Sequence, residues 1–223
     1  MLTRIRHSGF HLVNPFFIDA GALSIFATIE TRFDEGEDMG TKAGVAGSGR
    51  SENPVSLADA GSRLQMVLRA GAAGGLAGAI IIWIYEALVW VGAQHLMPLA
   101  GIPRNATGLV FGKAFQESIG IWAYVVGTGI HFVFAIGWGV LFALIWPYFR
   151  RRGFEATLVA LFYAIFAWIA MHVAIAIASD NHPNYLDPAV IIGGFMSHFC
   201  FTIPLALIVK KMLAPGDSAN LKR

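Results

Sequence analysis

Four long stretches of this chain carry almost no formal charge, and this feature limits its possible folds more than any other. Between Arg69 and Arg104 the only charged residue is Glu86, and residues 118–149, 156–179 and 188–209 carry none. Each stretch reaches the roughly 20 residues that a helix needs to cross a bilayer. Their continuous apolar character excludes the polar/apolar alternation of barrel strands. The sequence therefore predicts an all-α membrane protein with four transmembrane helices, over about 70–91, 122–146, 157–178 and 190–209.

Composition supports the same fold class. Hydrophobic residues make up 56% of the chain and charged residues 13%, against about 25% charged residues in ordinary soluble domains. Four buried helices of a soluble protein are the alternative, but a chain of 223 residues leaves too little material to wrap them.

Lysine and arginine residues predict the orientation. Most of them fall on one side of the predicted membrane domain, before the first stretch, between the second and third, and after the fourth. These are Arg63, Arg69, Arg150, Arg151, Arg152, Lys210, Lys211, Lys222 and Arg223. The connections at the other end carry only Arg104 and Lys113. Because short cytoplasmic segments are enriched in Lys and Arg, both termini are expected in the cytoplasm.

The remaining chain divides into two terminal segments around this domain. Residues 1–55 are polar, rich in glycine and without helical periodicity, so we expect a disordered N-terminal segment. Glu35, Gly36, Glu37 and Asp38 need purine-rich codons just before Met39, which resembles a translated ribosome-binding site, so residues 1–38 are a candidate non-native extension. The transmembrane domain covers 56–213, and 214–223 form a cytoplasmic tail.

Each uncharged stretch contains one ionisable residue, namely Glu86, His131, His172 or His198. At about 1.5 Å of rise per residue, all four fall roughly 18–28 Å from the nearest charged residues on the cytoplasmic side, in the outward half of the membrane. Ionisable residues inside a membrane are costly and usually face a bundle interior or a functional site. We therefore predict a protonatable layer that relays or senses protons.

Other uses of these four residues stay open. The histidines could hydrogen-bond neighbouring groups and only tie helices together. Three imidazoles and a carboxylate also suit a transition metal, and two histidines could hold a haem. Either cofactor would favour an electron carrier or an oxidoreductase subunit. Nothing resembles a phosphate-binding loop, a Ser-His-Asp arrangement, a cysteine pair or a dinucleotide fingerprint, so the sequence favours a non-enzymatic protein.

Several further features bear on partners. The first stretch opens with Gly71, Gly74, Gly75 and Gly78, a spacing that lets helices approach closely. We expect these glycines to make contacts between helices of the same bundle. Alternatively, they form the contact surface of a homo-oligomer, or of a larger membrane complex in which this protein is an accessory subunit. Nothing indicates a nucleic-acid face. The outward connections also carry ionisable residues, which we interpret as solvated; they are His95, Arg104, Asp180, His182 and Asp187.

From about Gly74 to Met212 the chain resembles the YagU-like family of bacterial inner-membrane proteins. The resemblance rests on His131-Phe132-Val133-Phe134, on Met171-His172-Val173 and on Ser197-His198-Phe199, and more weakly on Trp83 with Glu86. It implies an inner-membrane protein associated with tolerance of acid stress. The predicted function is thus an inner-membrane protein whose Glu/His layer responds to external acid.

Overall fold

The computed structural model describes residues 57–179 and 184–214, and within these ranges every regular element is helical. In chain order the helices are α1 Leu57–Glu86, a π-helical segment Ala87–Ala93, α2 Gly101–Phe111, α3 Lys113–Ser118, α4 Trp122–Arg151, α5 Ala156–Ala178 and α6 Pro188–Met212. The predicted disordered segment 1–55 and the tail beyond Ala214 lie outside the described residues, as do Asp180 and His182.

The prediction of four membrane-spanning helices is confirmed. Helical spans that are long and apolar enough to cross a bilayer cover Ala60–Ala93, Trp122–Arg151, Ala156–Ile177 and Pro188–Met212. Large apolar side chains remain on the outside of these helices, and 65% of Phe162 and 82% of Ile177 are exposed. A contiguous exposed apolar surface of this kind fits a lipid environment. The protein is therefore a multi-pass membrane protein in contact with a lipid bilayer.

Helix α1 lies between α4 and α6, and glycines make both contacts possible. A Cβ added at Gly71 or Gly75 would run into the backbone of α4, near Val140 and Ala135. A Cβ added at Gly74 or Gly78 would meet α6, at Leu205 and Phe201. The small residues of α1 are therefore used inside the bundle, as expected, and α5 completes the group by packing on α6.

The hydrophobic core lies between these four helices and is rich in aromatic side chains. Phe142 and Trp146 of α4 stack with ring centroids 6.3 Å apart, and the Phe142 ring also meets Tyr163 of α5 at 5.1 Å. The Tyr163 hydroxyl donates to the Trp138 carbonyl oxygen over 2.7 Å. These contacts join α4 to α5 and fix the depth at which their other side chains lie.

Polar contacts tie the helices at one end, which we call the basic end and define by Arg150, Arg151, Arg152, Lys210 and Lys211. The Arg150 guanidinium donates to the Leu213 carbonyl oxygen. Lys210 Nζ lies 2.9 Å from Glu155 Oε2, and this hydrogen bond holds the pKa of the exposed Glu155 carboxyl below its ordinary value. The opposite end of the bundle, where α1 ends and α4 begins, is called the distal end.

The distal end contains two helices that the sequence did not predict. Helices α2 and α3 occupy what we expected to be an irregular connection. The buried Thr107 hydroxyl donates to the Ala123 carbonyl oxygen over 2.6 Å, and the Ser179 hydroxyl donates to the Gly108 carbonyl oxygen over 3.2 Å. The connection is therefore a folded cap attached to α4 and to the end of α5.

Candidate functional site

Two of the predicted site residues, His172 of α5 and His198 of α6, lie next to each other. Their ring centroids are 6.1 Å apart, and the planes are inclined by 52°. Helices α5 and α6 are consecutive and pack against each other, which brings the two rings together at one level. His198 is 7% exposed, whereas His172 is half-buried. We call these two residues the histidine pair.

Backbone hydrogen bonds fix the neutral tautomer of both rings. His172 Nδ1 lies 2.7 Å from the Trp168 carbonyl oxygen, and His198 Nδ1 lies 2.7 Å from the Gly194 carbonyl oxygen. A carbonyl oxygen can only accept, so each Nδ1 carries the hydrogen and donates it. In the neutral ring the other nitrogen, Nε2, is then the acceptor. The histidine pair therefore offers two Nε2 lone pairs to a proton or another electrophile.

Aromatic side chains surround the histidine pair. The Trp168 ring centroid lies 4.7 Å from that of His172, and the Tyr185 ring centroid lies 5.6 Å from it. Burial raises the pKa of Tyr185, so its hydroxyl stays protonated and remains a donor. Neither Trp168 nor Tyr185 was predicted from the sequence as a site residue. The spacing of Trp168 and His172, four apart on one helix, was the available signal because such residues are neighbours on a helix surface.

His131 of α4 lies against α1 instead. Its Nε2 is 3.2 Å from the Ala79 carbonyl oxygen, so Nε2 donates and the neutral tautomer is the opposite of that in the histidine pair. Its ring stacks on Trp83 with centroids 5.7 Å apart and planes inclined by 19°. The hydrogen bond and the stacking together tie α4 to α1, and the role of His131 in proton relay stays a prediction from the sequence.

Glu86 ends α1 and is 9% exposed. It follows Ala79, the residue that meets His131, by seven positions, which corresponds to roughly 10 Å of helix rise. The π-helical segment begins immediately after Glu86 and carries Trp90 onto Gly193 of α6, where the indole nitrogen would lie 2.6 Å from an added Cβ. Such π-helical insertions often occur at functional sites. Glu86 therefore lies nearer the distal end than His131.

Several buried donors near these residues have no hydrogen-bond partner in the described part of the chain. They are the indole nitrogens of Trp83, Trp90 and Trp168 and the hydroxyl of Tyr185. An indole N–H can only donate, and a buried donor without an acceptor costs free energy. The surroundings of the histidines are thus rich in donors and poor in acceptors, apart from the imidazole lone pairs and Glu86.

The four predicted residues are divided between different parts of the bundle. Over residues 57–179 and 184–214, no three or more His, Cys, Asp and Glu side chains come together in a way that could hold a metal ion. The structure thus gives no geometrical support to a metal site built from Glu86 and all three histidines. Metal or haem binding by two histidines stays a prediction from the sequence.

The structure describes three of the five ionisable residues that were interpreted as solvated in the distal connections. Asp187 is the N-cap of α6 and accepts from the Ala189 backbone N–H over 2.9 Å. Arg104 belongs to helix α2, and its Nε is buried and has no hydrogen-bond partner within residues 57–179 and 184–214. The interpretation of Arg104 as a solvated loop residue is therefore too simple, whereas His95 is exposed, as expected.

Comparisons with protein-family models, with curated proteins and with solved structures give no significant match to this chain.

Proposed function

We propose that this protein responds to acid through the histidine pair, in a bacterial inner membrane with both termini in the cytoplasm. The orientation is supported by the basic end, where the Lys and Arg residues of short connections collect. In that orientation the distal end faces the outside, and Glu86 lies toward it. The proposed family resemblance, with its association with acid tolerance, agrees with this function and includes both histidines of the pair.

The observation that carries the proposal is the meeting of two imidazoles whose Nδ1 atoms are already bonded to backbone carbonyls. A proton arriving from the distal end adds to one Nε2 and turns that ring into an imidazolium, with both nitrogens as donors. The second Nε2 stays an acceptor and can share the proton directly or through a water molecule. Proton uptake thus places one positive charge between α5 and α6.

The pair takes up protons one at a time. Two unit charges at the 6.1 Å centroid separation repel by about 3 kcal/mol at an effective dielectric constant of 20. A second proton therefore has to overcome this repulsion or push α5 and α6 apart. Acid thereby acts on the packing of these helices.

Isotope-edited NMR of the three histidines in proteoliposomes tests the proposal directly. At neutral pH the ¹⁵N shifts should report hydrogen on Nδ1 for His172 and His198 and on Nε2 for His131. On acidification, the histidine pair should become doubly protonated in two separate steps, and His172→Gln should collapse these into one step at His198. His95→Gln, which changes an exposed histidine of the distal connection, is the matched control and should leave both steps unchanged.

A pH-sensitive dye inside the same vesicles distinguishes proton conduction from a conformational response to protonation. Proton entry that disappears in His172→Gln indicates conduction, whereas titration without entry indicates a conformational response. If both rings stay neutral down to the lowest pH at which the protein remains folded, and no proton entry occurs, the proposal is wrong. The histidines would then serve helix packing alone.

A further inference from the structure

The distal end contains a cleft that is separate from the histidine pair. It has a volume of about 360 Å³ and lies between the start of α2, helix α3 and the first turn of α4. This volume is at the lower end of the range for small-molecule pockets. Six of its lining residues are polar or charged: Arg104, Asn105, Lys113, Gln116, Glu117 and Tyr124.

The walls of this cleft are attached to the transmembrane bundle. Thr107, one turn after Pro103 in α2, is fully buried and donates to the first turn of α4. The Pro103 carbonyl lies so close to Gly127 of α4 that a Cβ there would overlap its oxygen. Because α2 packs on α4 through such contacts, the cleft keeps its shape without a ligand. A preformed site avoids part of the ordering cost of binding.

Arg104 supplies the strongest indication of the ligand. Its Nε atom is buried and has no hydrogen-bond partner among the described residues, and Arg104 is one of the residues that line the cleft. Arginine remains charged at every relevant pH, so it cannot relieve an unpaired position by losing its proton. A planar guanidinium fork binds the oxygen atoms of carboxylates and phosphates especially well. The cleft therefore offers an incompletely bonded cation to an anion.

The other lining residues add donors. Asn105 Nδ2 donates to the Met97 sulfur over 3.6 Å, and a thioether is a weak acceptor. Gln116, a residue that is 7% exposed, contributes an amide. Lys113 and Glu117 form an ion pair 4.0 Å apart whose side chains are 67% and 58% exposed, so the pair contributes little stability. The lining charges of Arg104, Lys113 and Glu117 leave one net positive charge.

We propose that this cleft binds a phosphate ester, either the phosphate group of a membrane lipid or a small soluble phosphate ester. A phosphate offers more acceptor oxygens than a carboxylate, and the cleft presents donors from a guanidinium, an ammonium, two amides and a phenol. Arg104 takes two phosphate oxygens, and Lys113 and Gln116 complete the contact. Binding requires neither the titration of the histidine pair nor a particular orientation in the membrane.

The experiment uses the full chain in dodecyl maltoside micelles, which contain no phosphate, and measures the binding of glycerol 3-phosphate by isothermal titration calorimetry. Saturable binding is expected, with at least about tenfold weaker affinity in Arg104→Gln, because a hydrogen bond to a charged group contributes about 1.5–3 kcal/mol. Arg104→Lys keeps the charge without the fork and should recover only part of the affinity. Lys211→Gln removes one charge at the basic end and is the matched control, with unchanged affinity expected.

Native mass spectrometry of protein from nanodiscs containing phosphatidylglycerol distinguishes the two sources. Retention of one phosphatidylglycerol, lost in Arg104→Gln but not in Lys211→Gln, assigns the cleft to a lipid headgroup. Binding of glycerol 3-phosphate without lipid retention assigns it to a soluble ester. Absence of both, or equal binding by wild type and Arg104→Gln in folded protein, overturns the proposal and leaves the histidine pair untouched.

Discussion

The close approach of α1 and α4 predicts different effects of alanine at two neighbouring glycines of α4, one of which serves as the control. Gly137 and Gly139 lie two residues apart on α4, but only Gly139 faces α1. A Cβ at Gly139 would overlap the Gly71 carbonyl oxygen and lie 2.8 Å from the Gly75 Cα, whereas a Cβ at Gly137 would have no atom of the described residues within 4 Å. Gly139→Ala should therefore destabilise the bundle, and Gly137→Ala should not.

The magnitude follows from comparing the two variants. Replacing a helical glycine by alanine gains roughly 0.5–1 kcal/mol of helix stability, and this gain is similar at both positions. Only Gly139→Ala adds overpacking against a backbone, which costs about 1–3 kcal/mol because the backbone cannot rotate away as a side chain can. The propensity terms cancel, so the two variants should differ by roughly 1–3 kcal/mol in the free energy of unfolding.

Reversible unfolding in mixed micelles, followed by far-UV circular dichroism against the mole fraction of SDS, measures this difference. Gly137→Ala should unfold at the wild-type midpoint or above it, and Gly139→Ala clearly below. Equal midpoints for the two alanine variants would refute the close contact between α1 and α4. A lower midpoint for Gly137→Ala alone would mean that the opposite face of α4 is the packed one.

Three further substitutions test other contacts. Thr107→Val keeps the side-chain volume but removes the buried hydroxyl that donates across 2.6 Å to α4, and it should lower the unfolding free energy by about 1 kcal/mol in the same SDS titration. Tyr163→Phe removes the 2.7 Å bond to the Trp138 carbonyl and should cost a similar amount, with the near-UV aromatic signal unchanged in shape if the ring stays in place. Lys210→Ala should weaken the pH dependence of stability. The lowered pKa of Glu155 gives stability that is present above the ordinary value of 4.5 and is lost as pH falls below it. The thermal melting temperature should therefore change less between neutral pH and about pH 3 in the variant than in wild type.

The four long helices could be predicted because an uncharged stretch of membrane-spanning length has few alternatives to a transmembrane helix. The contact between His172 and His198 could not be predicted from the sequence. Their helices are apolar on all sides, so the sequence has no polar face to show which side points inward. His131 illustrates the difficulty, because it shares the chemistry of the other two histidines but lies against α1.

The folded cap at the distal end could not be predicted for a different reason. Helices α2 and α3 are short, with 11 and 6 residues, and isolated helices of that length are marginal in water. Their stability comes from tertiary contacts such as Thr107 with Ala123, which local sequence does not reveal. The π-helical segment after Glu86 likewise has no recognisable sequence signal, since its residues are ordinary helix formers with one glycine.

The division of the α1 glycines between two partner helices affects the biogenesis of the protein. Gly71 and Gly75 need α4, but Gly74 and Gly78 need α6, which leaves the ribosome roughly 60 residues later. At about 5–20 residues per second, this delay lasts roughly 3–12 s. During this interval one groove of α1 has no helix from its own chain against it. The insertion machinery or lipid must cover that groove until the final helix enters the membrane.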